Sequence, residues 1–227
     1  MKYRGVLFDF NGVLLWDSPI HSDVWKQFAV QVRGQPLTDE EVAVHVHGRN
    51  NRYTLEYLTG NPLSDEEAAR LSIQKETLYQ QRCLELGKDY RLSPGAADLL
   101  DFLAEHAVPR TIATASVKYN VDFFFRQLVL SRWFDPAQIV YDDGFTPGKP
   151  QPDYYTKAAQ KLGLDPAECV VVEDSRSGLR SAFAAGAGYI IALGPAGEHA
   201  HLLQIEGVNE VIESLVDFPR LVLKLQQ

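Results

Sequence analysis

Apolar residues fall along this chain in two rhythms. Short runs with little polar alternation recur at 6–10, 110–115, 138–141, 169–173, 189–193 and 210–212, and each reads as a strand. Val170-Val171-Val172 is the plainest case, because an uninterrupted apolar strand belongs to a sheet covered on both faces. Between the runs the spacing becomes that of amphipathic helices, predicted over 95–106, 117–127, 152–161, 177–185 and 200–205. Strands alternating with helices predict an α/β fold, a doubly wound parallel sheet.

The stretch from about 20 to 90 breaks this alternation. It holds no convincing strand and reads as successive amphipathic helices over 20–34, 38–47, 52–58 and 64–86. Thr38 and Ser64 each precede three acidic residues, the pattern of an N-cap with a first turn that complements the helix dipole. Ser64 and Glu67 also have capping-box spacing. The expected organisation is a Rossmann-like core of residues 1–18 and 91–227 with an inserted helical domain, a cap, at 19–90. The two ends of the insert must lie close together if the sheet continues across it. No internal repeat or low-complexity segment interrupts the pattern.

Composition narrows the function. An apolar share of 45% with 11% aromatics can fill a core, which argues against disorder. A formal charge of −8 and no basic stripe argue against a nucleic-acid partner. Cys83 and Cys169 share no metal-ligand spacing and predict two free thiols in the cytoplasm. The first residues enter a strand pattern directly, so no signal peptide is expected. No apolar run nears the roughly 20 residues of a membrane span.

Four places carry candidate chemistry. Asp9 stands at the carboxyl end of the first strand before a turn at Gly12, where open α/β sheets bind ligands. Thr114-Ala115-Ser116 ends the second strand with hydroxyls that can bond a phosphate oxygen, although Thr is also an ordinary strand former. Lys149 sits in a turn bracketed by Pro147 and Pro150, a rigid setting for a charge that neutralises phosphate and nucleophile together. Glu173-Asp174 puts two acids at one strand end, which is costly unless a cation such as Mg²⁺ offsets it. An N-cap role explains Asp174 alone but not both acids.

In this order the motifs Asp9-Phe-Asn11-Gly-Val, Thr114, Gly148-Lys149-Pro-x-Pro-Asp and Glu173-Asp174-Ser-x-x-Gly178 resemble the haloacid dehalogenase-like (HAD) superfamily. The resemblance covers nearly the whole chain. The helical insert is similar to the cap of its branch of β-phosphoglucomutase and sugar-phosphate phosphatases. It implies a Mg²⁺-dependent phosphatase acting on a small phosphorylated metabolite, with no obligate protein partner. Asp9 would form an aspartyl-phosphate. Asp9, the main-chain carbonyl of Asn11, Asp174 and Glu173 would hold the metal. Thr114, Ala115, Ser116 and Lys149 would bind the transferred phosphoryl group.

The departure is Asn11. The family has an Asp there that protonates the leaving oxygen and then activates water. An amide keeps the main-chain carbonyl but cannot titrate, and such assistance is worth roughly 10²–10⁴-fold. A sugar-phosphate mutase, which relies on that acid–base residue, and a catalytically silent phosphometabolite-binding protein are the alternatives. The family also places the next Asp one residue earlier, so Trp16 resembles a one-residue insertion before Asp17.

Gly48-Arg49-Asn-Asn-Arg52 resembles the branch's substrate-approaching cap loop, and Arg49 or Arg52 would read a second phosphate or sugar oxygens; a solvated loop is the plain alternative. His21 is a candidate substitute base or an ordinary polar helix residue. His45 and His47 lack a third ligand for a metal. Phe123-Phe124-Phe125 reads as helix packing, and Arg176 as a residue of the site's rim.

Overall fold

A computed structural model describes residues 3–224. The elements in chain order are β1 (Gly5–Phe8), α1 (Ser18–Arg33), α2 (Asp39–His45), α3 (Asn51–Thr59), α4 (Asp65–Glu85), α5 (Ala96–Glu105), β2 (Arg110–Val117), α6 (Lys118–Leu128), β3 (Val140–Asp142), α7 (Asp153–Lys161), β4 (Cys169–Glu173), α8 (Arg176–Ala184), β5 (Tyr189–Leu193), α9 (His199–Leu202) and β6 (Val208–Ile212). The strands form one parallel six-stranded sheet in the order β3-β2-β1-β4-β5-β6. The order reverses between β1 and β4, so their carboxyl ends flank the crevice where such sheets bind ligands.

Burial explains the strands. Every residue of β4 is buried, with Val170 and Val172 packing on one face and Cys169 and Val171 on the other. Fully burying a side chain of this size contributes about 1.5–3 kcal/mol. The first strand ends at Phe8 rather than 10, because the Phe10 carbonyl turns to accept from Val13, Leu14 and Leu15. The second runs on to Val117 through an irregularity in its pairing with β3.

Residues 18–89 contain helices and no strand among those described. Thr38 closes a full capping box with Glu41, and Ser64 caps α4 through the Glu67 amide. Trp25, Phe28, Leu37, Val42, Val46, Leu55 and Leu58 form a small core of their own. Val24, Tyr79 and Cys83 instead join the main core, so α1 and α4 each serve two cores. No described helix is long and apolar enough to cross a membrane.

Candidate active site

Three strand ends and a helical wall enclose one cavity, lined on the sheet side by Asp9, Asn11, Thr114, Ala115, Ser116 and Asp174. Asp9 directly follows β1 and is buried. Lys149, also buried, donates to Asp9 Oδ1 at 2.8 Å and to Glu173 Oε1 at 2.5 Å. Burial alone would pull the Lys149 pKa down, but Asp9 and Glu173 reverse this and hold it above the usual lysine value. Its ammonium also lies 5.0 Å over the Tyr155 ring.

Both oxygens of Glu173 are engaged. Tyr155 joins Lys149 on Oε1 at 3.1 Å, and Oε2 accepts the Ser175 amide at 2.8 Å and hydroxyl at 3.0 Å. Glu173 is therefore built as a brace for Lys149 and for the loop after β4. Asp174 differs. It is half-buried, faces the cavity and has no side-chain hydrogen bond among the described residues. A Cβ on Gly12, whose φ is +85°, would lie 1.9 Å from Asp174 Oδ2, so this approach requires glycine.

Ligand oxygens of Asp9, Glu173 and Asp174 lie within 4.8 Å of one another. Burial raises the pKa of Asp9 to about 7, despite the pull of Lys149 and with a push from Glu173. Burial, then Glu173 and Asp9, raise that of Asp174 well above the carboxylate range. Two buried acids and the half-buried Asp174 share one ammonium, so the site is a charge short. A hard divalent cation with oxygen ligands fits this donor set.

The Asn11 amide is held from both sides. Ser116 Oγ donates to its Oδ1 at 2.7 Å, and its Nδ2 donates to Asp17 Oδ2 at 2.7 Å. His21 Nε2 lies 3.2 Å from the same Nδ2. Thr114 Oγ1 accepts from the Ser116 amide at 3.1 Å and stays buried at the cavity wall.

The helical wall holds a second charged cluster that the sequence reading missed. Lys75 and Glu76 are 1% exposed, adjacent on α4, and paired at 3.1 Å. Asn51 from α3 and Asn120 from α6 donate to Glu76 at 2.6 Å each. Lys75 Nζ also meets His21 Nδ1 at 3.0 Å and lies 4.8 Å over the Trp25 ring. Burial would raise the Glu76 pKa, but Lys75, His21 and the two amides bring it below the usual value. The one sequence signal was position: Ala68, Ser72, Lys75, Glu76, Tyr79 and Cys83 form the buried stripe of α4, and two of them are charged.

Of the two candidate cap arginines, only Arg49 lines the cavity. Its Nη1 reaches the Lys149 carbonyl at 3.2 Å, its guanidinium lies 4.5 Å over Tyr53, and its Nε is buried without a partner. Gly48 makes this approach possible, since a Cβ there would lie 2.2 Å from Ser175 Oγ. Arg52 does not reach the site. It is tied to Asp65 at 2.7 Å, Glu56 at 3.1 Å and the Leu63 carbonyl at 2.5 Å, inside the helical block. Arg176 is exposed and meets His201, away from the cavity. His47 lines the cavity, and burial lowers its pKa. His45 stacks on Tyr57 at 3.8 Å as packing. Phe123 and Phe124 are buried, and Phe124 stacks on Phe10 at 4.4 Å.

Residues 3–186 match the family described as haloacid dehalogenase-like hydrolase. Hexitol phosphatase A of Escherichia coli (strain K12) is 28% identical over 95% of this chain and 94% of its own. Beta-phosphoglucomutase of Bacillus subtilis (strain 168) is 28% identical over 81% of this chain and 80% of its own. Among solved structures, a HAD hydrolase of family IA, variant 3, from Entamoeba histolytica HM-1:IMSS superimposes with a TM-score of 0.83 and 38% identity, covering 96% of this chain and 95% of that one.

Proposed function

The chain belongs to the haloacid dehalogenase-like hydrolase family, and from that premise we propose that it hydrolyses a small phosphorylated metabolite, of the sugar-phosphate kind, through a phosphate ester on Asp9. The observation that carries this reading is the convergence of Asp9 and Asp174 at adjacent strand ends of one cavity, with the buried Lys149 donating to Asp9. An Asp9 oxygen attacks phosphorus, the bond to the leaving oxygen breaks, and that oxygen takes a proton from solvent water, since Asn11 has no acidic proton to give. Water then attacks the same phosphorus and releases Asp9. Lys149 holds Asp9 in place and offsets charge on the phosphoryl oxygens. Thr114 and the Ala115–Ser116 main chain cradle those oxygens. Asp9, Asp174 and the main-chain carbonyl of Asn11 would hold Mg²⁺, with Glu173 behind them as the brace of Lys149. The bound ion supplies charge neutralisation and orients the phosphoryl group.

In this reading residues 19–90 act as a cap that excludes water while the phosphoryl group moves. Arg49, rather than Arg52, meets the substrate beyond its phosphoryl group. A mutase reading is weaker, because Asn11 cannot shuttle a proton. Asn11 also favours a second reading, a phosphometabolite-binding protein without turnover.

Rapid-quench kinetics with an activated aryl phosphate and Mg²⁺ separate the two. The expected result is a burst of aryl alcohol approaching one equivalent, with phosphate recovered on the Asp9 peptide by mass spectrometry and lost in Asp9→Asn. Binding without any burst would put the silent binding protein first.

A further inference from the structure

Asp17 occupies the N-cap position of α1, yet its side chain makes no capping hydrogen bond. An Asp at that position ordinarily accepts from the next turn's amides. Here the carboxylate turns inward, is 1% exposed, and collects donors from four directions. Asn11 Nδ2 reaches Oδ2 at 2.7 Å, Tyr79 Oη donates to the same oxygen, and His21 Nε2 lies 3.3 Å away. The Gly12 amide reaches Oδ1 at 3.3 Å. The Lys75 ammonium donates to His21 Nδ1, which leaves the ring hydrogen on Nε2, facing Asp17.

We propose that Asp17, one residue further along than the family's Asp, is a positioning residue that dictates the amide at position 11: its buried carboxylate needs a donor there, and a carboxylate at 11 is compatible with this chain's loop only if the one at 17 is removed. The reason is donor–acceptor matching. Asn11 accepts from Ser116 through Oδ1 and donates to Asp17 through Nδ2, so its two ends are distinguished. A carboxylate at 11 could still accept from Ser116. Towards Asp17 it would present a lone pair and a negative charge at 2.7 Å, in a pocket already holding Asp9 and Asp174. Removing a buried donor and adding a like charge are both costly. An amide at 11 thus faces an acid at 17 across one hydrogen bond, and Trp16, which shifts that acid by one residue, and Asn11 are two signs of a single change.

The stability arm of the test is independent of the phosphatase reading; only the kinetic arm rests on it. Asn11→Asp, Asp17→Asn and the exchanged double variant are compared with wild type by thermal unfolding and by kcat and KM on an alkyl and an aryl phosphate. Asn11→Asp alone should melt roughly 5–10 °C lower. The double variant, with the hydrogen bond reversed, should recover most of that loss. Should Asn11→Asp fail to fold while the double variant folds, the coupling is equally supported. In the kinetic arm, kcat on the alkyl phosphate should rise roughly 10²–10⁴-fold in the double variant and less than about tenfold in Asn11→Asp, with KM little changed. An Asn11→Asp variant as stable as wild type, or a double variant no more stable than the single, would overturn the proposal. Coupled stabilities without any gain in turnover would leave the coupling standing and count against the phosphatase reading alone.

Discussion

Two buried acid clusters face each other across one cavity, and they are finished to different degrees. On the helical wall, Glu76 has Lys75 and two amide donors, and its pKa lies below the usual value despite burial. At the strand ends, Asp9 shares Lys149 with Glu173, Asp174 has no cation of its own, and both aspartates are raised. A cluster that carries its own countercharges is a structural joint, here linking α3, α4 and α6. A cluster left short of positive charge is a binding site for a cation and for the chemistry that cation supports.

The largest effect that could break this contrast is on the wall. Glu76→Ala leaves the Lys75 ammonium buried without its partner and should cost about 3–5 kcal/mol of stability, read from denaturant midpoints. Asp174→Asn should do the opposite in metal-free protein. It removes an acid whose ionised form nothing offsets, so stability should hold or rise by about 1 kcal/mol, while Mg²⁺ no longer raises the melting temperature. Equal losses in both variants would mean that the two clusters do not differ.

The pH dependence of metal-free stability sharpens the comparison next. Glu76 has a depressed pKa in the folded state, so its contribution is complete above its unfolded value and is lost as pH falls through the folded one. Asp9 is raised to about 7, so between the unfolded value of 3.8 and 7 the folded chain keeps a proton that the unfolded chain releases. Stability should therefore fall as pH rises through that window, and Asp174 adds to the fall in the same direction. Saturating Mg²⁺ should flatten this second slope and leave the acid limb unchanged. Denaturant midpoints across pH 3–8, with and without Mg²⁺, give both slopes.

The arginines give the smallest expected effects. Arg52→Ala removes partly exposed ion pairs and should change stability by less than about 1 kcal/mol and kinetics not at all. Arg49→Ala should raise KM for a sugar phosphate and spare a small aryl phosphate, and similar losses on both would take Arg49 out of substrate recognition.

The strand-end cluster is legible in the sequence because each member sits at a fixed offset from a strand. The runs at 169–173 and 189–193 coincide with β4 and β5, since both strands are buried on both faces and end at polar residues or turns. Glu173 and Asp174 follow from the end of β4, Asp9 from the end of the first strand, and Lys149 from its Pro-bracketed turn. The run at 6–10 overshoots because Phe10 is as apolar as its neighbours while its carbonyl already closes a turn. The wall cluster is hidden for a different reason. Lys75 and Glu76 are ordinary helix formers, and only the packing of α4 against α1, α3 and α6 buries them. Arg49 and Arg52 look alike in sequence, but Asp65 and Glu56 stand within reach of one and not the other. Asp17 shows in the sequence only as an acid displaced by Trp16, and its partners become visible only when its side chain turns inward.

Calorimetric titration with Mg²⁺ tests the central claim most directly, with wild type, Asp174→Asn and Glu76→Gln side by side. The account predicts one Mg²⁺ per chain for wild type and for any Glu76→Gln protein that remains folded, and no measurable binding for Asp174→Asn. Equal affinity in wild type and Asp174→Asn would contradict it.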